Sequence, residues 1–248
     1  MRFVIIRAAL LMTLLTIQGC ASLGTIVDQQ EAKKVKKMAI LGFTINRTSG
    51  EGPTVGFGNK KLTQAQKDRE VQYEILEELR RNIEKKTGWT VLSLEDLKKS
   101  KTYLEIYKKK SYRPRMVDVT FKGVENLMDY HTASFLASKP EKLKAVAKEL
   151  GIDAYALFSE NQLVATAAVN ILGKRVKVIN DNFSSQAFSS LRVLNIETGK
   201  VIYQVQNIEG EEIFNDNFEE NVSFRAKEDT LNLRASRAAM AVLFNFIK

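Results

Sequence analysis

The sequence predicts an α/β protein, a mixed β-sheet packed with helices, and three observations carry that reading. Short apolar runs alternate with stretches of helical period through the first part of the chain, in the order β-α-β-α-β. From Gln162 onward the texture changes to partly alternating strands separated by turn residues. The chain then closes on one more helical stretch, in which Leu231, Ala235, Ala238, Val242 and Phe246 share a face. Composition agrees, because 44% hydrophobic and 27% charged residues are the proportions of an ordinary globular protein rather than a disordered one.

Before this domain stands a leader. Arg2 and Arg7 flank the start of an apolar run that reaches Ile17, too short to span a bilayer and of the right length for a signal peptide. It ends in Ile17-Gln18-Gly19-Cys20, and Cys20 is the only cysteine of the 248 residues. The run resembles the bacterial lipobox: an aliphatic residue three positions before the cysteine, a small residue just before it, then the cysteine. A thiolate is nucleophilic enough near neutral pH to be alkylated by a diacylglycerol donor, and a small Gly19 admits a peptidase to the bond before it. The expected products are a signal peptide over residues 1–19 and a lipidated Cys20 at the head of a flexible lipid-anchored tether, residues 20–34. Several acyl chains on one residue anchor durably where one does not. Ala21 follows the cysteine where lipoproteins of this type kept at the inner membrane of enteric bacteria carry aspartate, so the resemblance implies the outer membrane, facing the periplasm. Export leaves no cysteine for an intramolecular disulfide, and the fold must rest on its core.

The folded part is expected as a single α/β domain over residues 35–248. Its first strand reads in "VKKMAILGF", Val35 to Phe43, and exits into a long Gly/Thr/Asn-rich loop. "TQAQ" at Thr63 to Gln66 has the spacing of a capping box, and Val71, Ile75, Leu79 and Ile83 recur every four residues behind it until Gly88. "WTVLS" reads as a strand and "LEDLKK" as a further helical stretch. Ser138 and Glu141 offer a second capping box before "KLKAVAKELG", and "IDAYALF" is strand-like. Strands follow at Gln162 to Asn170, Arg175 to Asn180, Gln186 to Ile196 and Val201 to Gln206, the last pair joined by "ETGK". Asp229 is placed to cap the closing helix.

Four of these pieces, "KKMAILGF", "GWTVLSLEDL", "LGIDAYALF" and "SSLRVLNIETGKVIY", together resemble an envelope-lipoprotein superfamily. It includes the curli-secretion channel subunit, the outer-membrane activator of penicillin-binding proteins and the N-terminal domain of the Tol-system β-propeller protein. The most specific piece is Leu191 to Tyr203, which is similar to that superfamily's "VDxxTGxV" hairpin. The resemblance implies a compact α/β sandwich. Residues 98–139 depart from it as an inserted basic segment, longer than the connection in the smaller members.

The sequence carries no catalytic constellation, and neither a cofactor nor a metal is expected. His131 is the single histidine, without a nucleophile in a known motif or a second ligand at metal spacing. "GEGPTVGFGNKK" lacks the Walker spacing and its Lys-Ser/Thr ending. The formal charge of +9, which becomes +7 when Arg2 and Arg7 leave with the leader, would suggest nucleic acid in a cytosolic protein. An exported one meets lipid headgroups and glycans instead. The candidate contact for such anionic polymers is Lys98 to Arg115, where Lys99, Lys101, Lys108, Lys109, Lys110, Arg113 and Arg115 interleave with Tyr103, Tyr107 and Tyr112. The blander reading, which this composition favours, is a solvated helix with its tyrosines on the core. Two functions follow: a non-enzymatic lipid-anchored binding or scaffolding factor for an envelope machine, with an envelope protein as partner, or an oligomeric secretion-channel subunit. The second needs barrel strands of about 9–11 residues in hairpin pairs. Gln162 to Asn170 meets that weakly, with Gln162 on the pore side, and the acidic stretch Ile208 to Phe224 does not.

Overall fold

The computed structural model describes residues 25–49, 60–109, 120–122, 124, 126–166, 168–171, 174–177, 183–214 and 224–247. The apolar run at Val35 continues well past its expected end, because strand β2, Lys37–Ser49, includes the "TINRTS" that the sequence reads as loop. What holds those polar residues in a strand is pairing on both sides. β2 runs parallel to β5, Ala154–Thr166, from Met38↔Ala154 to Ser49↔Val164, and β4, Thr120–Lys122, adds antiparallel at Ile45 to Arg47. β5 in turn joins two runs that read as separate strands. It pairs along its whole length with the antiparallel β8, Phe183–Asn195, and β9, Val201–Glu209, follows through the predicted turn.

The strand order is β1-β9-β8-β5-β2-β3, where β1 is Ile26–Val27 and β3 is Thr90–Val91; β10, Ile213–Phe214, pairs with β8 to the side. A small separate hairpin pairs β6, Ala168–Ile171, with β7, Lys174–Lys177. The second half of the expected tether is therefore structured: β1 lies in the sheet and α1, Gln29–Ala32, follows it.

Helices cover both faces. Helix α2, Lys60–Thr87, contains Thr63 rather than starting at it, and buries Ile75, Leu79 and Ile83. The closing helix α7, Phe224–Leu243, likewise begins before Asp229. Its buried positions form two adjacent rows, Leu231, Ala235, Ala239 and Leu243 beside Asn232, Ser236 and Met240. Ala238 is half-buried, and Val242 and Phe246 are exposed. Arg237 joins α7 to α2, its Nε donating to Glu78 at 2.8 Å and its Nη2 to Glu74 at 2.7 Å. Glu78 and then Glu74 hold the guanidinium above its ordinary pKa.

The opposite face carries α5, Tyr130–Ala137, with α6, Pro140–Leu150, beside it. Gly42 sits at a bulge in β2, and a Cβ there would stand 2.7 Å from the Cβ of Ala133 and 2.9 Å from Leu157, so only glycine admits α5. Ser138 does not cap α6; its hydroxyl donates to Phe135 O, and α6 begins with Pro140 at its first turn. Gly151, in the left-handed region at φ 64°, ends that helix as its sequence predicts.

Candidate functional site

The basic segment starts on α3, Leu94–Leu97, whose capping box is made by Ser93 and Asp96. Lys98 and Lys99 are used locally, reaching Glu95 at 2.5 Å and Asp96 at 2.6 Å. The bond from Lys99, then that from Ser93, lowers the Asp96 carboxyl to about 2. Helix α4, Lys101–Lys109, follows. Its entry is tied to α6 through Glu149, which accepts from the Ser100 hydroxyl at 2.6 Å and from Thr102 N at 3.2 Å; those bonds lower the carboxyl's pKa.

Two tyrosines of this segment, Tyr103 and Tyr107, pack on the core, and Tyr112 lies outside the described residues. Tyr103 is fully buried, and its hydroxyl donates to Asn126 O and accepts from Met128 N, both at 3.2 Å. Burial pushes its pKa up, so it stays a neutral donor. The Tyr107 hydroxyl accepts from Asn126 N at 3.1 Å. Asn126 has φ 65°, and the two phenols clamp the turn that carries it. Outward, α4 presents Lys101, Glu105 and Lys108, an exposed row in which a carboxylate stands between two ammonium groups. Lys109 is the last residue of α4, and Lys110, Arg113 and Arg115 lie outside the described residues, as does Cys20. The structure thus brings together two exposed lysines of the candidate contact and separates the rings from them, leaving no aromatic platform on the described part of that row.

His131 is exposed at the start of α5, edge-on to the Tyr130 ring at 5.7 Å between centroids. Among the described residues no group of three His, Cys, Asp or Glu side chains is placed to hold a metal ion. One polar cluster was not singled out by the sequence reading. Glu160, Gln162, Ser189 and Ser236 are each fully buried between β5, β8 and α7. Gln162 Nε2 donates to Glu160 Oε1 at 2.9 Å and to Ser236 Oγ at 2.8 Å, the Ser189 hydroxyl donates to Glu160 Oε2 at 2.8 Å, and Ser236 also bonds Glu160. With every member sealed from solvent, the cluster has no surface on which to receive a substrate; it locks α7 to the sheet. Its signal in the sequence was present: "SENQ" interrupts an otherwise apolar strand pattern, and polar residues inside a doubly covered strand need partners.

No protein-family model matches the chain, and no curated protein matches it. Among solved structures, it is similar to lipoprotein GNA1162 from Neisseria meningitidis at 12% identity, TM-score 0.35, over 75% of this chain and 88% of that one. The C-terminal domain of LpoB from Salmonella enterica is similar at 11% identity, TM-score 0.29, over 72% and 81%. So is the hypothetical protein CT253 from Chlamydia trachomatis, at 13% identity, TM-score 0.31, over 86% and 97%. At these identities and scores the likeness carries no argument about what the chain does.

Proposed function

We propose that the protein is a non-enzymatic lipoprotein of the bacterial envelope, anchored through acyl chains on Cys20 and acting as a binding or scaffolding factor for an envelope machine. In this reading residues 1–19 are a signal peptide, and the α/β domain, with its basic insertion at residues 98–139, faces the periplasm from the outer membrane. The observation that carries it is the leader, a charged start, an apolar run and Ile17-Gln18-Gly19-Cys20 holding the only cysteine. Among the described residues no helix is long and apolar enough to cross a membrane.

The channel alternative puts Gln162 on the water-filled side of a barrel. Instead Gln162 is fully buried against Ser236, and residues 162–166 are part of the sheet shared with β2 and β8. That favours the scaffold. Metabolic fatty-acid labelling tests the anchor: label is expected in the native chain and absent from Cys20→Ser, and equal label in both ends the proposal. Crosslinking the intact lipoprotein in whole envelopes then identifies what it holds. Detergent-resistant rings that conduct ions across planar bilayers would favour the channel.

A further inference from the structure

The first residues of the described chain are fastened to the sheet. Ile26 pairs with Gln204 and Val27 with Tyr203 on the edge of β9, and Asp28 N donates to Ile202 O at 2.8 Å. The Asp28 carboxylate accepts from Gln30 N and Glu31 N, both at 3.0 Å, and so starts α1. Glu31 is buried and takes Lys34 Nζ at 2.8 Å, Asn195 Nδ2 at 3.2 Å and, at longer range, Lys200 Nζ at 3.7 Å. Two strand pairs, a cap and a buried carboxylate thus hold residues 26–31 against β9 and the β8–β9 turn.

Covalent geometry limits what lies upstream. Ile26 is six residues from Cys20, and a chain of that length, fully extended, spans no more than about 21 Å. A globule of this chain length is about 45 Å across. A Cys20 whose acyl chains sit in a bilayer therefore keeps the β1–β9 edge within about 21 Å of the headgroups, and turning that edge away would need roughly twice the tether.

From this geometry we propose that the β1–β9 edge is a membrane-docking surface and that its partner is the lipid bilayer carrying the anchor, an inference that rests on the lipidation of Cys20 proposed above. The chemistry of the edge fits. Ile26 and Val27 are 45% and 37% exposed and adjacent, so two apolar side chains stand at the point nearest the anchor. Lys33, Lys34 and Lys200 are exposed around the α1 end of this edge, with Glu197 the exposed acid of the β8–β9 turn. Long ammonium side chains beside an apolar pair suit a headgroup layer, the stems lying on apolar surface and the charges among phosphates. β3 stands at the other edge in the strand order, and α3 and α4 follow it in the chain, so the Lys101/Lys108 row is no part of the docking edge. A partner must then meet the protein on its remaining surfaces, within about 65 Å of the bilayer, the tether and one domain diameter together.

Because Cys20 is the only cysteine and carries the lipid, one introduced cysteine gives a single dye position. The test uses full-length lipidated protein in vesicles of phosphatidylethanolamine and phosphatidylglycerol containing headgroup-spin-labelled lipid, with dye at Gln30→Cys on α1 or Glu105→Cys on α4. Quenching at position 30 is expected to exceed that at 105 at least fivefold, and a twenty-residue Gly/Ser insertion after Ser22 should erase the difference while the protein still floats with the vesicles. Equal quenching at both positions in a floating protein, or no effect of the insertion, overturns the docking surface alone. A native chain that bears no acyl group at Cys20 and does not float overturns the anchor and the docking surface with it.

Discussion

Helices α2 and α7 lie on the same face of one sheet and are held there by different chemistry. Under α2 the contact is large and apolar: Ile75, Leu79 and Ile83 are buried in one cluster with Phe43 and Phe158, whose rings stack 5.4 Å apart. Beneath the middle of α7 it is small and polar, while Met240 and Leu243 nearer its end join the same apolar cluster. Ala187, Ala235 and Ala239 are fully buried, and Ser236 of α7 hydrogen-bonds across the seam to Gln162 and Glu160, which Ser189 also bonds from within the sheet. Apolar burial is non-directional, so it holds a helix down without choosing among neighbouring registers. A buried polar seam does choose, because a shift of one turn takes Ser236 away from Glu160 and Gln162 and leaves its hydroxyl and those buried groups short of a partner. The small residues let the backbones come close enough for those bonds to form.

The sharpest way to break the α7 side is Gly210, where a Cβ would stand 2.5 Å from Ala239 N and 2.8 Å from its Cα, both backbone atoms. Gly210→Val should destabilise by about 4 kcal/mol or more, since neither backbone can yield, and calorimetry should show the melt lowered by about 8–16 °C or no folded protein at all. A matched pair sharpens the comparison next. Leu79→Met keeps volume in an apolar contact and should cost about 1 kcal/mol, whereas Glu160→Met strands the Ser189 and Gln162 donors and should cost about 3 kcal/mol. Equal losses in urea unfolding would mean that the polar seam specifies nothing.

Smaller still is Tyr103→Phe. Losing a hydroxyl that bridges Asn126 O and Met128 N should cost about 1 kcal/mol and speed amide exchange at Met128, while leaving α7 unaffected. The smallest effect is electrostatic. The Asp96 carboxyl is held near 2, below its ordinary range, by Lys99 and then Ser93. A lowered carboxylate contributes above its unfolded pKa of about 3.9 and stops as pH falls through its folded value. The α3 cap should therefore be complete above about pH 4 and lost toward pH 2, followed by the carboxyl carbon shift of Asp96.

Much of the fold was legible because local pattern and burial agree. The four-residue recurrence through Val71 to Ile83 and the Gly151 stop correspond to helices α2 and α6, and "ETGK" to the turn between β8 and β9. Where the reading missed, a distant partner had overruled local texture. "TINRTS" looks like loop until β5 and β4 pair with it, and "SENQ" looks like a break in β5 until Ser189 and Ser236 satisfy it. The same limit explains α7. An apolar face of Ala238, Val242 and Phe246 is as good a helical stripe as the buried one, and the packing of Leu231, Met240 and Leu243 together with the Ser236 bonds turns Ala239 inward instead. In the basic segment, tyrosines and lysines shared one sequence pattern, and the Asn126 turn drew the rings into the core while the ammonium groups of Lys101 and Lys108 stayed in water.

By itself, the sequence determined the α/β class, the lipobox-like pattern around the only cysteine and the caps and stops of several helices, because each depends on residues within a turn or two of one another. Tertiary structure alone decided which side of α7 is buried, that β5 is one strand, and that Ile26–Val27 joins the sheet six residues after Cys20. Those outcomes depend on groups more than a hundred residues apart in several cases, such as Glu31 with Asn195. A hydrogen-bond partner at that separation exerts no bias on local periodicity; it acts only once the chain has closed the loop between them.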